Sequence, residues 1–511
     1  MGIARARTIE VVLDGPPTPA WQAHALESLA ESSALDVIEV HLSGPRPRGV
    51  ARRLRSAVER RLFGLGADAL APTHVQTRTS SVPAPLVVWL SERPVPTSER
   101  RDVLHLRHGR LVESAEEAVS RAVVSGAACL ETDVLLRRGS DTVAVEKTVS
   151  GVRPFSVTLS RDLLLWKLVA VVRRAVERLP YLDLSPSPSP SPVPAHGGPL
   201  SSTVLAARAT SAWTRVLVTR LLFRRPWSIR VRRRGPEPTR GWEKSEHLVR
   251  WRRGHVYADP FLLEHEGRHH LFCEEVLPGV GRGVISHTEL SPDGAPAAPP
   301  QAILQRPYHL SYPFVFSHKG EMFMIPETLA VRRVELYRAV DFPYVWRHEA
   351  VLLEDVPAVD ATVLFDDDRL WLFAGIGAPH ASASDELHLF WGAAPQGPWH
   401  PHPRNPVVSD VRCARPGGAI QRWGARLVRP AQDCSRRYGG AISFREIDLL
   451  STSEYAEHEI DRLEPDDLGD ARATHSYARD ARFEAIDLRR RELRAMRSIS
   501  HSPMPTKRWR G

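Results

Sequence analysis

The sequence predicts two folds in one chain: an N-terminal α/β domain with a Rossmann-like sheet, and a C-terminal all-β five-bladed propeller. Three observations carry this expectation. Residues 1–182 alternate strand and helix periods. Residues 185–198 read SPSPSPSPVPAHGG, and alternating Ser-Pro forms neither helix nor central strand, so it acts as an extended spacer. From Trp227 onward a strand–turn–strand unit returns at intervals near 50 residues.

The chain is 511 residues long, room for two or three domains that each bury a core. The N-terminal part opens with TIEVVLDG, a strand ending in a turn. AWQAHALESLAESS follows with helical period, LDVIEVHL is a second strand, and APLVVWLSE (84–92) a third. Strand, helix, strand argues a βαβ unit and a parallel sheet. SRDLLLWKLVAVVRRAVERL (160–179) is an amphipathic helix expected to pack on that sheet. The spacer and a connector helix from 202 to 225 fill residues 183–225. That helix is apolar and Arg-bearing, and a membrane-surface role is its secondary reading.

The repeats begin at Asp259 (DPFLLEHEGRHHLFCEE), Tyr312 (YPFVFSHKGEMFMIPE), Asp360 (DATVLFDDDRLWLFAG) and Arg415 (RPGGAIQRWGARLVRPAQD). A weaker echo, THSYARDARFEAIDL, begins at 474. Several strands per repeat of this length is the pattern of propeller blades, and five fit within 226–492, ahead of a basic tail, 493–511.

Composition narrows the function. The net charge is +9, but only five of the 69 basic residues are Lys and the only Asn is Asn405. That bias reads as the codon usage of a GC-rich genome, and the basic residues are spread out, which argues against nucleic acid. Cys129, Cys273, Cys413 and Cys434 form no C-x-x-C pair and are expected to be free thiols. The N-terminus has no signal-peptide pattern and no run is long and apolar enough for a transmembrane helix. The expectation is a cytoplasmic bacterial protein without a metal or other cofactor, since no His spacing suits a metal.

Residues equidistant from a hairpin turn lie opposite each other. On that rule Asp259 faces Glu274, Tyr312 faces Glu327, Asp360 faces Gly375, and Arg415 faces Gln432, next to Asp433. If these hairpins are innermost, their polar ends converge on one mouth of the central channel. Converging carboxylates repel, burial raises at least one pKa, and a glycosidic bond needs one protonated and one ionised carboxyl. The candidate catalytic residues are Asp259, Glu327 and Asp360. Glu274, His309, Tyr312, Arg415, Gln432, Asp433 and Arg436 are the candidate substrate contacts, the arginines for hydroxyls or an anionic group. Against this stands the plain alternative of buried Asp and Arg that merely tie blades together.

The motifs YADPFLLEHEGRHHLFCEE, YHLSYPFVFSHKGEMFMIPET, HPRNPVVSDVRCARPGGAI and RPAQDCSRRYGGAI resemble the N-terminal propeller domain of glucosamine inositolphosphorylceramide transferases. That propeller is similar to glycoside hydrolase family 43, in which an Asp at a "DP" motif is the base. The resemblance implies this role for Asp259, with Glu327 as the acid and Asp360 as the partner that sets a pKa; the order of Glu327 before Asp360 departs from the family's Asp before Glu. RTIEVVLDGPPTPAWQAHALESLAES and LHLRHGRLVE resemble a formyltransferase-type domain, but that half has no Asn, and RHGR (107–110) lacks the usual acid. Formyl transfer is therefore expected to be lost. Three functions follow: a carbohydrate-active propeller acting on a glycan or glycolipid precursor, a non-catalytic sugar-binding scaffold whose N-terminal domain holds a protein partner, or a formyltransferase on an amino sugar.

Overall fold

The computed structural model describes residues 7–32, 35–44, 49–76, 84–109, 114–181, 202–224, 226–242, 247–249, 254–366 and 369–493. The Ser-Pro spacer, Arg110 of the RHGR loop and the tail beyond 493 lie outside the described residues.

The N-terminal sheet has six strands in the order Leu35–Leu42, Arg7–Leu13, Leu86–Trp89, Asp102–His108, Cys129–Arg138, Asp141–Gly151. The first four are parallel, as the βαβ pattern predicts. Cys129–Arg138 runs antiparallel to both neighbours, so the sheet is mixed rather than parallel throughout. Ile9, Val11 and Leu13 on one face of Arg7–Leu13 are fully buried, and Glu10 and Val12 on the other are only 8% and 5% exposed, so both faces of this strand are covered. Helices α1 (Ala20–Ala30), α2 (Val50–Phe63), α3 (Ala115–Ser125) and α4 (Val157–Arg178) accompany the sheet. Ser114 caps α3 by accepting from the Glu117 amide, and Gly126 ends it in the left-handed conformation. Helix α4 buries Leu164, Leu165, Leu168, Val171 and Val172 in the domain core, so it is a packing helix. Helix α5 (Ser202–Leu222) is the connector.

Five four-layered blades follow. Blade one runs Val256–His265, Arg268–Val276, Gly283–Leu290, Gln301–Leu304 outward in order; blade two spans 311–354, blade three 358–401 and blade four 415–463. Blade five is composite. Its inner strands, Tyr477–Arg479 and Phe483–Arg489, pair with Trp227–Arg233 and His247–Val249 from the other end of the propeller sequence. The ring is thus closed by strands more than 200 residues apart in the chain. Apolar side chains between blades, such as Phe261, Phe272, Phe314, Met324 and Leu372, form its core. All four cysteines are free. Among the described residues no helix is long and apolar enough to cross a membrane.

The two halves are in close contact. The edge strand Asp141–Gly151 exchanges backbone hydrogen bonds with the segment before blade four: the Val149 amide donates to the Ser409 carbonyl at 3.0 Å and the Val411 amide to the Val149 carbonyl at 3.2 Å. Lys167, 1% exposed, lies 3.6 Å from Asp385, and Arg174 pairs with Glu386 at 2.8 Å. Arg153 donates to the Cys434 carbonyl in blade four at 3.0 Å.

Candidate functional site

The inner strands of blades one to three each carry one extra residue near one end. In blades one to three the register shifts between Ala258 and Phe261, Ser311 and Phe314, and Val359 and Thr362. The residues at the shift, Asp259, Tyr312 and Asp360, have φ of 49°, 44° and 54°. A β-bulge built on a left-handed residue re-aims its side chain, and outside glycine that conformation is uncommon. The bulge corrects the expected pairing: Ala258, not Asp259, stands opposite Glu274; Ser311, not Tyr312, opposite Glu327; Val359, not Asp360, opposite Gly375. Blade four has no such shift, and Arg415 opposes Gln432 as expected.

Re-aimed, Asp259 points to the axis and is 4% exposed. Its Oδ1 accepts from the Ser476 hydroxyl at 2.7 Å and lies 2.9 Å from His475 Nε2, while Oδ2 accepts from the Tyr312 amide at 3.2 Å. His475 reaches Asp487 on its other side, Nδ1 to Oδ2 at 2.7 Å. That second approach is close but off the hydrogen-bond axis, so it acts as an ion pair. Trp227 and Tyr438 flank the imidazole with ring centroids at 4.3 and 4.6 Å. Burial opposes charge on His475, yet the Asp487 and Asp259 carboxylates outweigh it and raise its pKa to about 10. Burial likewise opposes charge on Asp259, but the imidazolium and the Ser476 hydroxyl hold its carboxyl below the usual range. Asp259, His475 and Asp487 are the group among the described residues whose ligand atoms lie close enough to hold a metal ion. Both imidazole nitrogens already face a carboxylate, an arrangement that suits a shared proton better than an ion.

The second half of the mouth is built on Asp360. Its Oδ2 accepts from Arg415 Nε at 2.5 Å and from Gln432 Nε2 at 2.6 Å. Arg415 Nη2 reaches Glu327 Oε2 at 3.5 Å, and its guanidinium lies 5.0 Å from the Tyr438 ring. Burial pushes the Glu327 carboxyl well above the usual carboxylate range, the Asp360 carboxylate pushes it further, and Arg415 opposes both. Of this cluster's carboxyls, Glu327 is thus the one whose surroundings favour keeping its proton.

Glu274 and His309 form a third pair at the rim. His309 Nε2 lies 3.0 Å from Glu274 Oε1, and the His309 side chain is 44% exposed. Burial raises the Glu274 carboxyl, and the hydrogen bond to Glu274 raises His309.

The structure brings Asp259, Glu274, Glu327, Asp360, His309 and Arg415 together, but not every expected contact. Tyr312 is fully buried; its hydroxyl lies 3.0 Å from the Thr362 hydroxyl and accepts from the Gly418 amide at 2.8 Å, so its ring is core. A side chain at Gly418 would meet the Tyr477 carbonyl at 2.0 Å, which is why that approach needs glycine. Gln432 is also fully buried and serves Asp360. Asp433 turns away to Arg462 at 2.7 Å. Arg436 is exposed, and burial together with Arg436 and Arg472 pushes Arg437 below the usual arginine range, a crowding of positive charge beside Tyr438. Sequence reasoning missed His475, Ser476 and Asp487. The available signal was spacing: His475 precedes Tyr477 by two, as Asp259 precedes Phe261.

In the N-terminal domain, His108 of the expected catalytic loop is 6% exposed, and burial lowers its pKa to about 4. Its Nδ1 lies 3.0 Å from the Thr132 hydroxyl, and neighbouring Asp133 is occupied by Arg107 at 2.7 Å. The cavity beside His108, lined also by Trp21, Ser91 and His105, measures about 70 Å³. Small-molecule pockets run to roughly 300–1,000 Å³. The mixed sheet with helices is what this half shows; its formyltransferase type gains no support from the geometry.

Residues 252–496 match the family described as "Glucosamine inositolphosphorylceramide transferase 1, N-terminal". Glucosamine inositolphosphorylceramide transferase 1 of Arabidopsis thaliana is 36% identical over 209 residues, 40% of this chain and 27% of that protein. Its counterpart in Oryza sativa subsp. japonica is 35% identical over 203 residues, again 27% of that protein. The propeller half thus resembles the N-terminal domain of these transferases, as its motifs imply, and the chain spans about a quarter of the relatives' length. The relatives are plant proteins and do not bear out the expected bacterial source. Among solved structures, a family 117 glycoside hydrolase of Zobellia galactanivorans is 11% identical with a TM-score of 0.32, covering 41% of this chain and 71% of that one. A family 43 β-1,3-galactosidase structure is 10% identical with a TM-score of 0.34, covering 43% and 81%.

Proposed function

We propose that the propeller binds the sugar of a glycan or glycolipid at this mouth and acts on a glycosidic bond there, with Glu327 as general acid. The observation that carries the reading is a Glu327 carboxyl, 11% exposed beside the Asp360–Arg415 pair, whose pKa desolvation and the Asp360 charge push well above the usual carboxylate range. Glycosidic cleavage or transfer needs a carboxyl that still holds its proton near neutral pH, and burial beside a like charge supplies one. Asp360 sets the Glu327 pKa. Asp259 keeps its charge but spends it on three donors, so it stabilises positive charge developing on the sugar rather than abstracting a proton. That revises the base role the family resemblance implies. Glu274, nearer the rim and raised toward the working range, is the group placed to activate water. Arg436 and Arg437 suit a phosphate or other anionic group on the ligand.

A non-catalytic sugar-binding module is the second reading, favoured by how completely the buried groups satisfy one another. Saturation-transfer NMR on saccharides, sugar phosphates and inositol phosphates separates the two. Product peaks that grow with the native chain and vanish with Glu327→Gln support the enzyme. Binding without product favours the module, and product from the Glu327→Gln variant overturns the assignment of Glu327.

A further inference from the structure

Helices α2 and α5 stand side by side on the N-terminal half, and their outward faces have an unusual composition. Across the described residues eighteen large apolar side chains are exposed, and eight of them lie on these two helices. Val50, Leu54 and Leu62 are 82%, 65% and 43% exposed on α2; Val218, Leu221 and Leu222 are 44%, 70% and 51% exposed on α5. On α5 only Leu205, Ala209 and Thr219 are buried, so most of a 21-residue helix faces outward. Between the helices runs an open groove of about 500 Å³, lined by Leu54 and Val58 on one side and by Leu205, Ala209 and Trp213 on the other. Trp213 fixes α5 in place by donating to the Phe155 carbonyl at 2.7 Å.

The exposed charges of the two helices themselves have one sign. Arg53 and Arg61 on α2 and Arg208, Arg215 and Arg220 on α5 are exposed, and no ion pair among the described residues engages them. Helix α5 contains no Asp or Glu, and the single acid of α2, Glu59, is fully buried against Ser156 and the Thr158 amide. The one carboxylate among the described residues lining the groove, Glu117 of α3, is paired with Arg121 at 3.1 Å. Helices that interleave exposed leucines and valines with arginines free of ion pairs among the described residues match an anionic lipid interface: the apolar chains enter the acyl boundary while the guanidiniums meet the head groups. An exposed apolar patch of this kind marks an interaction site.

We infer that α2 and α5 form a membrane-docking face that seats the protein on an anionic lipid bilayer. The surface lies on the N-terminal half, so the inference stands apart from the reading of the channel mouth. The test is flotation of the full chain with vesicles of pure phosphatidylcholine and of phosphatidylcholine with phosphatidylglycerol at about three to one. The expected result is flotation with the anionic vesicles only, lost as salt rises from about 0.1 M to about 0.5 M. Leu221→Glu with Leu222→Glu, and separately Leu54→Glu, should each lower the bound fraction about tenfold with unchanged thermal unfolding, these positions being exposed. Failure to float with anionic vesicles overturns the inference, as does flotation that both variants leave unchanged. A soluble protein captured by this face in the absence of lipid binding would also overturn it.

Discussion

Asp259 and Asp360 sit on the same backbone device, a bulge with φ near 50°, two blades apart, yet they do different work. Asp259 meets an imidazolium, a hydroxyl and an amide, all firmly held. Asp360 meets a guanidinium and a carboxamide, and beside it stands a second carboxyl, Glu327. The bulge therefore decides where a carboxylate points, and the neighbouring blade decides what it does. Blade five supplies His475, Ser476 and Asp487 to the first centre; blade four supplies Arg415 and Gln432 to the second. One centre closes the ring, and the other sets beside Asp360 a carboxyl whose pKa is pushed up.

The sharpest way to break the contrast is Glu327→Gln. It keeps the shape of a protonated acid, so turnover should fall by roughly 10²–10⁴ while thermal unfolding stays put, read by product formation beside a melting curve. The same change at the other centre should behave in reverse. His475→Leu leaves Asp259 and Asp487 buried without their cation, and denaturant unfolding should show a loss of about 3–5 kcal/mol. Asp259→Asn should also cost stability, because it removes one of the two carboxylates that hold His475.

The His475 centre also has a pH signature. Its folded pKa of about 10 lies above the ordinary 6.5, so the protonated imidazole stabilises the fold. That contribution is complete below about 6.5 and is lost progressively as pH rises to about 10. Unfolding measured across this window should weaken toward alkaline pH in the native chain, and His475→Leu should flatten that decline. Asp360→Asn sharpens the comparison from the other side. Removing the like charge lowers the Glu327 pKa, so the alkaline limb of the pH–rate profile should move to lower pH. The smallest effect is expected at the rim: Arg436→Ala should weaken an inositol phosphate by about tenfold or less and leave a neutral saccharide unchanged, by titration calorimetry.

Much of the propeller was legible because its units repeat. The repeats at Asp259, Tyr312, Asp360 and Arg415 mark four blades, and their apolar alternation marks inner strands. The bulges were not legible, since a left-handed residue adds one position without changing composition, and a shift of one re-aims every partner beyond it. That is why Tyr312 looked like a rim aromatic and is core. His475 and Asp487 escaped because blade five borrows its outer strands from Trp227–Arg233 and His247–Val249, a pairing no local pattern announces. In the N-terminal half, TIEVVL and LDVIEVHL gave away a parallel pair, whereas the reversal of Cys129–Arg138 against Asp102–His108 comes after helix α3, where no local pattern marks strand direction; the tight turn after Arg138 accounts only for the pairing with Asp141–Gly151.

The contact between Asp141–Gly151 and the segment ahead of blade four bears on how such a chain can be rearranged. Lys167 and Arg174 neutralise Asp385 and Glu386 inside blade three, and Val149 grips the strand that leads to Arg415. A propeller separated from its N-terminal half would be born with two buried carboxylates stripped of their cations and with the approach to Arg415 untethered. The domains are therefore not exchangeable cassettes. What lies on either side of the Ser-Pro stretch is held together as one part.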